Sequence, residues 1–349
     1  MTTKTKLIEL PFDQYQRYRD VQEIADLARD KKPLKVLDVG GHPGIIKEFL
    51  TKDDATIVDI LPCDTPNYIQ TDGSNLPFED DSFDFVCSLD ALEHVPPGNR
   101  EKFLNEMMRV SKNYVVLICP FHNENIKLAE EITYEFYNKT FNAPLTVLGE
   151  HLQHGLPELD EIKKIFEKKG MKPSIIPSGY LFNWLPLQIA KIYIQSLPDA
   201  QQLNAMIDKF YNTNYYELDH KEPSYRKVLV ASKQTKNILS KVEKRFAPSS
   251  NGSKEEVKSF DTFSMLMSLF DLQHKNQMEG LTKELEKTHD ILKEKDVHIS
   301  NQEKIINDRD NRIQDLERWA AKVQQTVPYK LYSSVKKLKK SKSENENGN

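Results

Sequence analysis

The sequence predicts an α/β fold, in which a doubly wound, mostly parallel seven-stranded sheet is followed by a long C-terminal coiled-coil helix. Three observations lead to this prediction. Short apolar segments alternate with amphipathic ones through the N-terminal and central parts of the 349 residues. A glycine-rich turn follows the first apolar segment. Near the C-terminus, apolar residues recur every seven positions.

Composition and charge restrict the class of protein. Hydrophobic residues make up 38% and charged residues 29% of the chain, and the formal net charge is −4. So small a charge does not favour nucleic-acid binding by the whole chain. We expect a cytoplasmic protein, because no apolar stretch has the length of a membrane span or a signal peptide. The cysteines, Cys63, Cys87 and Cys119, fit a reducing compartment, and no Cys/His cluster predicts a metal site.

The first strand and the turn after it predict a ligand pocket. The apolar run KVLDV predicts a buried parallel strand that ends at Val39. Gly40, Gly41 and Gly44 follow, and glycines let backbone N–H groups approach a ligand closely. The next segment, IIKEFLTK, is apolar at helical spacing. A strand, a glycine-rich turn and a helix N-terminus together predict a nucleotide-type pocket.

Carboxylates end the next strands. About twenty residues after Asp38, the segment ATIVDI predicts a strand ending in Asp59, which can accept hydrogen bonds from both hydroxyls of a ribose. Dinucleotide-binding enzymes share this pairing. The third strand ends before Asp72, where a carboxylate can accept a hydrogen bond from the amine of adenine. The segment DDSFDFVCSLDALEHV predicts a fourth strand.

Four segments in order, VLDVGGHPG, IVDI, TDGSNLPFEDDSFDFV and SLDALEHV, resemble the motifs of class I S-adenosylmethionine-dependent methyltransferases. Within that superfamily they are most similar to the ubiquinone, menaquinone and sugar methyltransferases. The resemblance covers Asp13 to Lys233 and implies S-adenosylmethionine as cofactor. It implies that the first aspartate and the glycine turn hold the methionine part, the second aspartate the ribose, and the third with its glycine the adenine. The implied cofactor-binding residues are Asp38, Gly40, Gly41, Gly44, Asp59, Asp72, Gly73 and Ser88.

One position departs from the family pattern. Relatives usually have glycine where this chain has His42. Three interpretations stay open: a tolerated loop variant, loss of cofactor binding because the side chain crowds the site, and a direct role for the imidazole.

Histidines are the candidate catalytic groups. Methyl transfer from a sulfonium needs an aligned nucleophile and, for a hydroxyl acceptor, removal of a proton, which a neutral histidine can accept near pH 7. The acceptor is expected beyond the carboxyl ends of the strands, over residues 88–95 and 120–123. His94, His151 and His154 are the predicted catalytic residues.

Other roles for these histidines stay open. The LEHV motif recurs in methyltransferases with different acceptors, so His94 also fits a structural or cofactor-side role. The segment EHLQHGLPELDEIKKIFEKKG resembles one found in methyltransferases linked to cell-surface polysaccharide synthesis, where it leads into the helix before the sixth strand. Glu150, His151 and His154 therefore either bind the acceptor or form a polar turn that caps this helix. His122 is a further candidate.

The remaining elements complete the predicted domain. The segment FDQYQRYRDVQEIADLARD predicts a helix packed on the sheet, and its residues Tyr15, Arg17 and Tyr18 either line the pocket or belong to the core. The segments GNREKFLNEMMRVSKN and NYVVLICPF predict a helix and the fifth strand. By resemblance, KPSIIPSG and YRKVLVASK form an antiparallel hairpin at the sheet edge. The aromatic insertion between them, residues 179–220, fits an amphipathic helical pair, a lid, a partner contact or a lipid-facing surface.

The C-terminal part predicts an assembly element. The predicted boundaries are a domain over 1–235, a linker over 236–259, a coiled coil over 260–328 and a basic tail over 329–349. The repeat favours a parallel homodimer, and the tail is either solubilising or a peripheral contact with the inner face of the membrane. The first apolar seam comprises Met278, Leu285, Leu292, Ile299, Ile306, Ile313, Ala320 and Val327.

The sequence thus predicts a methyltransferase that acts on a sugar or a lipid-linked glycan of cell-surface polysaccharide synthesis. Two alternatives stay open. One is a methyltransferase for a quinone-like small molecule, and the other is a non-catalytic coiled-coil scaffold that retains the fold.

Overall fold

The computed structural model describes residues 7–197, 201–234, 238–247 and 252–346. The chain divides into two compact units, residues 1–266 and 267–349, which are described separately. The Pro/Ser/Gly cluster of the predicted linker lies partly outside the described residues.

The first unit contains one seven-stranded sheet, which confirms the predicted fold class. Its order is β3-β2-β1-β4-β5-β7-β6, and the pairs are parallel except for those made by β7. The first strand of the chain therefore lies inside the sheet, next to the central strand β4, and the last is inserted antiparallel beside the edge strand β6. The strands are β1 (Lys35–Val39), β2 (Asp54–Asp59), β3 (Tyr68–Gln70), β4 (Phe83–Leu89), β5 (Ser111–Pro120), β6 (Ser174–Tyr180) and β7 (Ser224–Ser232).

Helices cover both faces of the sheet, and a buried apolar cluster lies under each face. This double burial is why the central strands read as continuous apolar runs. The helices of this unit are α1 (Phe12–Ala28), α2 (Ile46–Phe49), α3 (Pro97–Val110), α4 (Glu124–Phe141), α5 (Thr146–His154), α6 (Leu159–Lys168), α7 (Leu181–Gln195), α8 (Gln201–Asn214) and α9 (Ile238–Arg245).

Helix α1 packs on the sheet as predicted, and a buried carboxylate anchors it. Tyr18 is buried with the apolar stripe of the helix, whereas Tyr15 is half-buried. The side chain of Asp20 is completely buried and accepts hydrogen bonds from the hydroxyls of Ser178 and Tyr216, at 2.6 and 2.9 Å. Its Oδ1 also lies 2.8 Å from Nε2 of His220. These bonds offset the cost of burying a charge and hold α1 against β6.

The insertion between β6 and β7 forms two helices, α7 and α8, packed on the domain. Trp184 stacks on Tyr225 with ring centroids 3.7 Å apart. Lys191 of α7 and Asp208 of α8 form a buried ion pair, and Asp208 also accepts a hydrogen bond from the backbone N–H of Phe12 at 2.9 Å. Of the interpretations open for this segment, the packed helical pair describes the structure.

The predicted linker of 236–259 is wrong at its start. Helix α9 packs against α1, β6 and β7, and Ile238, Val242 and Phe246 are buried in the apolar cluster on that face of the sheet. These residues recur every four positions, which places them on one face of a helix. Lysines and a glutamate surround these apolar residues, so the composition of the segment alone suggested a polar linker.

The second unit consists of helices. Helix α10 (Gly252–Gln325) has 74 residues, and α11 (Val327–Glu346) follows it. Where side chains are described, the predicted seam is exposed on the single chain, for example at Leu285, which is 71% exposed, and Ile299, which is 55% exposed. Among the described residues, we find no helix whose length and apolar character would suffice to cross a membrane.

Candidate active site

The carboxyl end of β1 holds a buried carboxylate beside the glycine turn. Asp38 is completely buried, and within the described part of the chain its Oδ2 has no hydrogen-bond partner. A Cβ atom added to Gly41 would lie 2.2 Å from that oxygen, and one added to Gly40 would lie 2.5 Å from Cβ of Ala91. Gly40 also has a φ of +80°, which disfavours other residues. The turn therefore requires glycine at both positions.

Burial controls the charge of this carboxylate. It raises the pKa of Asp38 to about 7, and the negative charge of Asp59 acts in the same direction. The thiol of Cys87 donates a weak hydrogen bond to Oδ1 at 3.8 Å, which lowers the pKa in part. Asp38 therefore titrates near neutral pH in the cofactor-free chain.

Asp59, at the end of β2, fixes the path of the turn. Its Oδ2 accepts a hydrogen bond from the backbone N–H of His42 at 3.0 Å, and its Oδ1 accepts one from Leu61 at 2.9 Å. The imidazole of His42 is exposed, and it meets the ring of Tyr68 edge-on with centroids 6.4 Å apart. Its exposure favours the interpretation of a tolerated loop residue.

The other predicted cofactor residues follow β3 or lie in β4. Asp72 is exposed and accepts a hydrogen bond from the N–H of Ser74 at 2.9 Å. A Cβ added to Gly73 would lie 2.3 Å from the ring of Phe103, so close packing requires glycine there. Ser88 is completely buried, and its hydroxyl has no partner among the described residues. The four strands β3, β2, β1 and β4 are parallel, so all eight predicted cofactor residues lie at the carboxyl ends of these strands, on one side of the sheet.

A buried charge network follows β4 at the same edge. Nε and Nη2 of Arg226, on β7, lie 2.7 and 2.5 Å from the carboxylate of Asp90, and Nη1 of Arg17, on α1, lies 3.0 Å from it. Asp13 pairs with both arginines, at 3.3 and 3.6 Å. Burial alone would raise the pKa of Asp90, but Arg226 and Arg17 together hold it below its usual value. Arg17 therefore belongs to this network, which the sequence did not predict.

Two of the three predicted catalytic histidines, His94 and His151, lie next to each other. Nε2 of His94 lies 3.4 Å from Nε2 of His151, which α5 carries. Nδ1 of His94 lies 2.8 Å from Glu150, and Nδ1 of His151 lies 2.8 Å from the buried Glu130 of α4. Burial and the neighbouring His151 lower the pKa of His94, which favours its neutral form.

Glu93 completes this cluster and was not predicted. It is 1% exposed, and its Oε2 has no partner among the described residues. Its ligand atoms and those of His94 and His151 lie within 4.8 Å of one another, in an arrangement that could hold a metal ion. The expectation of no metal site considered spacing along the chain, whereas here α5 returns to the loop after β4. In the sequence, the only indication that Glu93 belongs to this cluster was its position next to His94.

The other two candidate histidines, His154 and His122, make no hydrogen bond or ring contact with His94 or His151 in the described part of the chain. His154 ends α5, and its Nδ1 is buried with no partner among the described residues. His122 is partly exposed, with carboxylates of Glu124 and Glu158 at 3.9 and 4.0 Å.

Comparisons with known proteins agree with this arrangement. Residues 34–119 match the family model for a methyltransferase domain. The chain is 30% identical over 159 residues to an uncharacterised protein of Methanocaldococcus jannaschii, covering 43% of this chain and 60% of that protein. It is 33% identical over 104 residues to an uncharacterised methyltransferase of Mycobacterium sp. strain KMS, covering 25% of this chain and 40% of the relative. The chain thus spans 60% or less of the length of these relatives.

The comparison with solved structures also matches a methyltransferase. The magnesium protoporphyrin IX methyltransferase of Synechocystis PCC 6803, solved with bound SAH, is 13% identical with a TM-score of 0.37, covering 66% of this chain and 86% of its own. The family match includes β1 to β4 and the glycine turn, and the strand order places all eight predicted cofactor residues at one edge. The chain therefore contains a methyltransferase domain of the class I S-adenosylmethionine-dependent fold.

Proposed function

We propose that this chain transfers a methyl group from S-adenosylmethionine to a hydroxyl group of a lipid-linked glycan. The observation that supports the cofactor half of this proposal is the buried Asp38, whose free carboxylate oxygen lies beside a turn that only glycine can form. The observation that supports the acceptor half is a polar histidine cluster next to an apolar groove at the same edge of the sheet.

The residues at this edge fit the cofactor. S-adenosylmethionine, when bound, supplies a methyl group on a positively charged sulfur. Asp38 Oδ2 and Ser88 Oγ are buried polar atoms without partners in the described chain, and such atoms are costly unless a ligand satisfies them. Asp38 and the glycine turn would hold the methionine part, Asp59 the ribose, and Asp72 with Gly73 the adenine.

The acceptor side is formed by His94 and His151. His94 is the accessible member, because its side chain is 27% exposed whereas that of His151 is 4% exposed. Glu150 and Glu130 fix the orientation of the two rings through their Nδ1 atoms. Burial and the neighbouring His151 lower the pKa of His94, so its neutral imidazole is placed to assist removal of the proton of a hydroxyl group bound here.

An apolar groove between α4 and α7 supports a lipid-linked acceptor. Its volume is ≈ 230 Å³, and exposed apolar side chains line it, including Leu128 at 55% and Phe182 at 66% exposure. Ala129, in its wall, adjoins Glu130, which contacts His151. One helix thus carries part of the groove and part of the histidine cluster. The groove is lined by Asn125, Leu128, Ala129, Ile132, Leu181, Phe182, Leu185, Pro186 and Pro223.

A transfer assay with labelled cofactor tests the acceptor. We expect methylation of an isoprenoid-linked glycan and, for Phe182→Ser, a roughly tenfold higher KM for that acceptor, because about 1.5 kcal/mol of apolar contact is lost. The KM for the same glycan without its lipid should not change. Met206→Ser is the control, because this residue is 61% exposed on α8 outside the groove. Preferential methylation of a quinone-like phenol would instead support the small-molecule alternative.

The ribose assignment predicts a loss of cofactor affinity. Asp59→Ala should weaken binding of S-adenosylmethionine by about 1 to 3 kcal/mol, because a hydrogen-bonding carboxylate is removed from the pocket. Calorimetry on the full chain measures this change. Asp54→Ala is the control, because Asp54 is exposed at the opposite end of the same strand. Equal affinity in wild type and Asp59→Ala would refute the assignment, and no binding by wild type would favour the scaffold alternative.

The raised pKa of Asp38 predicts a pH-dependent stability. Its pKa is about 7 in the folded chain against 3.8 when exposed. Between these values the folded chain keeps a proton that the unfolded chain has lost, so stability falls as pH rises toward 7, by up to about 4 kcal/mol. Asp38→Asn removes this contribution and should therefore gain stability relative to wild type between pH 5 and pH 8.

Urea unfolding of the cofactor-free chain at several pH values measures this difference. Burial also raises the pKa of Asp219 to about 7, but that residue is common to both proteins and cancels in the comparison. A difference in unfolding free energy that stays constant from pH 5 to pH 8 would contradict the prediction. Asp38→Asn should also bind the cofactor more weakly at pH 8.

We also propose that two copies of α10 form a parallel coiled coil. Seven of the eight side chains in the first seam, all but Ala320, are half exposed or more on one chain, and pairing two such seams buries them. The full chain should sediment as a dimer, and Ile299→Asp should convert it to a monomer because a charge would be buried in the seam. Val297→Asp is the matched control, since Val297 is 61% exposed and is not part of this seam. A dimer that survives Ile299→Asp would place the interface elsewhere.

A further inference from the structure

The two histidines of the acceptor side face each other through their Nε2 atoms. Nδ1 of His94 lies 2.8 Å from Glu150, and Nδ1 of His151 lies 2.8 Å from Glu130. Carboxylates accept hydrogen bonds, so each Nδ1 is placed to donate an N–H, and each Nε2 is left facing the other ring. The two Nε2 atoms are 3.4 Å apart. Two nitrogens at this separation need either a shared proton or a metal cation between them.

A buried carboxylate points to the same place. Glu93 is 1% exposed, and its Oε2 has no hydrogen-bond partner among the described residues. Burying such an oxygen without a partner costs free energy that a cation would recover. Its ligand atom lies within 4.8 Å of those of both histidines. One possible ligand atom from each of Glu93, His94 and His151 therefore lies within 4.8 Å of the other two.

The spacing of the nitrogens fits a transition metal. Zinc binds histidine nitrogen at about 2.0–2.1 Å, so two such ligands at a tetrahedral angle lie about 3.3–3.4 Å apart. The observed separation of Nε2 in His94 from Nε2 in His151 is 3.4 Å. Histidines that bind metals usually donate their other ring N–H to a carboxylate. Glu150 and Glu130 occupy these outer positions here.

We propose that Glu93, His94 and His151 bind a divalent transition metal ion, with zinc as the best fit. Two histidines and a carboxylate leave a fourth position open, as in catalytic zinc sites. The side chain of His94 is 27% exposed, so an acceptor can reach this ligand from solvent. Metal binding itself does not depend on the proposed methyl transfer. The role of the metal toward an acceptor does rest on that proposed function.

The metal would act on the acceptor hydroxyl group. Coordination lowers the pKa of a bound hydroxyl group, so its proton can pass to water near neutral pH and leave a metal-bound alkoxide. The imidazoles would then orient the metal, and neither would need to accept the proton. Ala91, two residues before Glu93, packs under Gly40 of the cofactor turn. The loop after β4 thus joins the metal ligands to the cofactor-binding turn.

A metal titration of the full chain, without an affinity tag and freed of metal by a chelator, tests the proposal. We expect one zinc ion per chain by competition with a chromophoric chelator, and a tetrahedral absorption spectrum with cobalt. His94→Ala and Glu93→Gln should weaken zinc binding by about a hundredfold or more, and Glu150→Gln by about ten- to a hundredfold. His122→Ala is the matched control, because His122 is a partly exposed histidine with carboxylates 3.9 and 4.0 Å away.

Two results would overturn the proposal: a wild-type chain that binds no zinc, or His94→Ala binding zinc as tightly as wild type. Circular dichroism checks the fold of each variant, and Glu150→Gln keeps the test informative because Glu150 is 53% exposed and its loss should not affect the core. Cofactor binding by the same proteins separates the two proposals. Zinc binding without cofactor binding would refute only the proposed function, and cofactor binding without zinc would refute only the metal site.

Discussion

The ion pair between Asp90 and Arg226 is the interaction on which the active site depends. It joins the end of β4 to the start of β7, and Arg17 ties α1 to the same carboxylate. Removing one partner of a buried pair leaves an unpaired charge, which typically costs about 3–5 kcal/mol. The loop that follows Asp90 packs under Gly40 and carries Glu93. The positions of the cofactor turn and of the acceptor cluster are therefore both set by one buried network.

Two aspartates at this edge show how burial and partners decide charge. Asp38 is completely buried and the Asp90 side chain is 15% exposed, yet the pKa of Asp38 is raised to about 7 and that of Asp90 is lowered. The difference is that Asp90 has two guanidinium partners, whereas one oxygen of Asp38 has none in the described chain. A positive charge placed beside Asp38 would favour its ionised form. Asp90 stays ionised in its structural role, and Asp38 remains responsive to a ligand.

The sequence predicted the parts of this site that depend on local pattern. An apolar run followed by glycines and a carboxylate marks β1 and its turn, so Asp38 and Asp59 could be placed before the structure was known. The ion pair of Asp90 joins residues 136 apart in sequence, and His94 meets His151 across 57 residues. Nothing in the local sequence records such contacts, because the first arises from the pairing of β7 with β5 beside β4, and the second from the return of α5 to the loop after β4. Glu130 lies in an ordinary amphipathic helix and gave no signal at all.

The residues that were predictable from sequence and those that were not lie in different parts of the domain. The matched segment, residues 34–119, contains all eight predicted cofactor residues together with Glu93 and His94. His151, Glu150 and the α4–α7 groove lie beyond it, on helices that follow β5. The matched segment therefore carries the predicted cofactor residues and half of the histidine cluster, while α4, α5 and α7 carry the groove and the other half. Under the proposed function, acceptor choice is therefore expected to depend on these three helices.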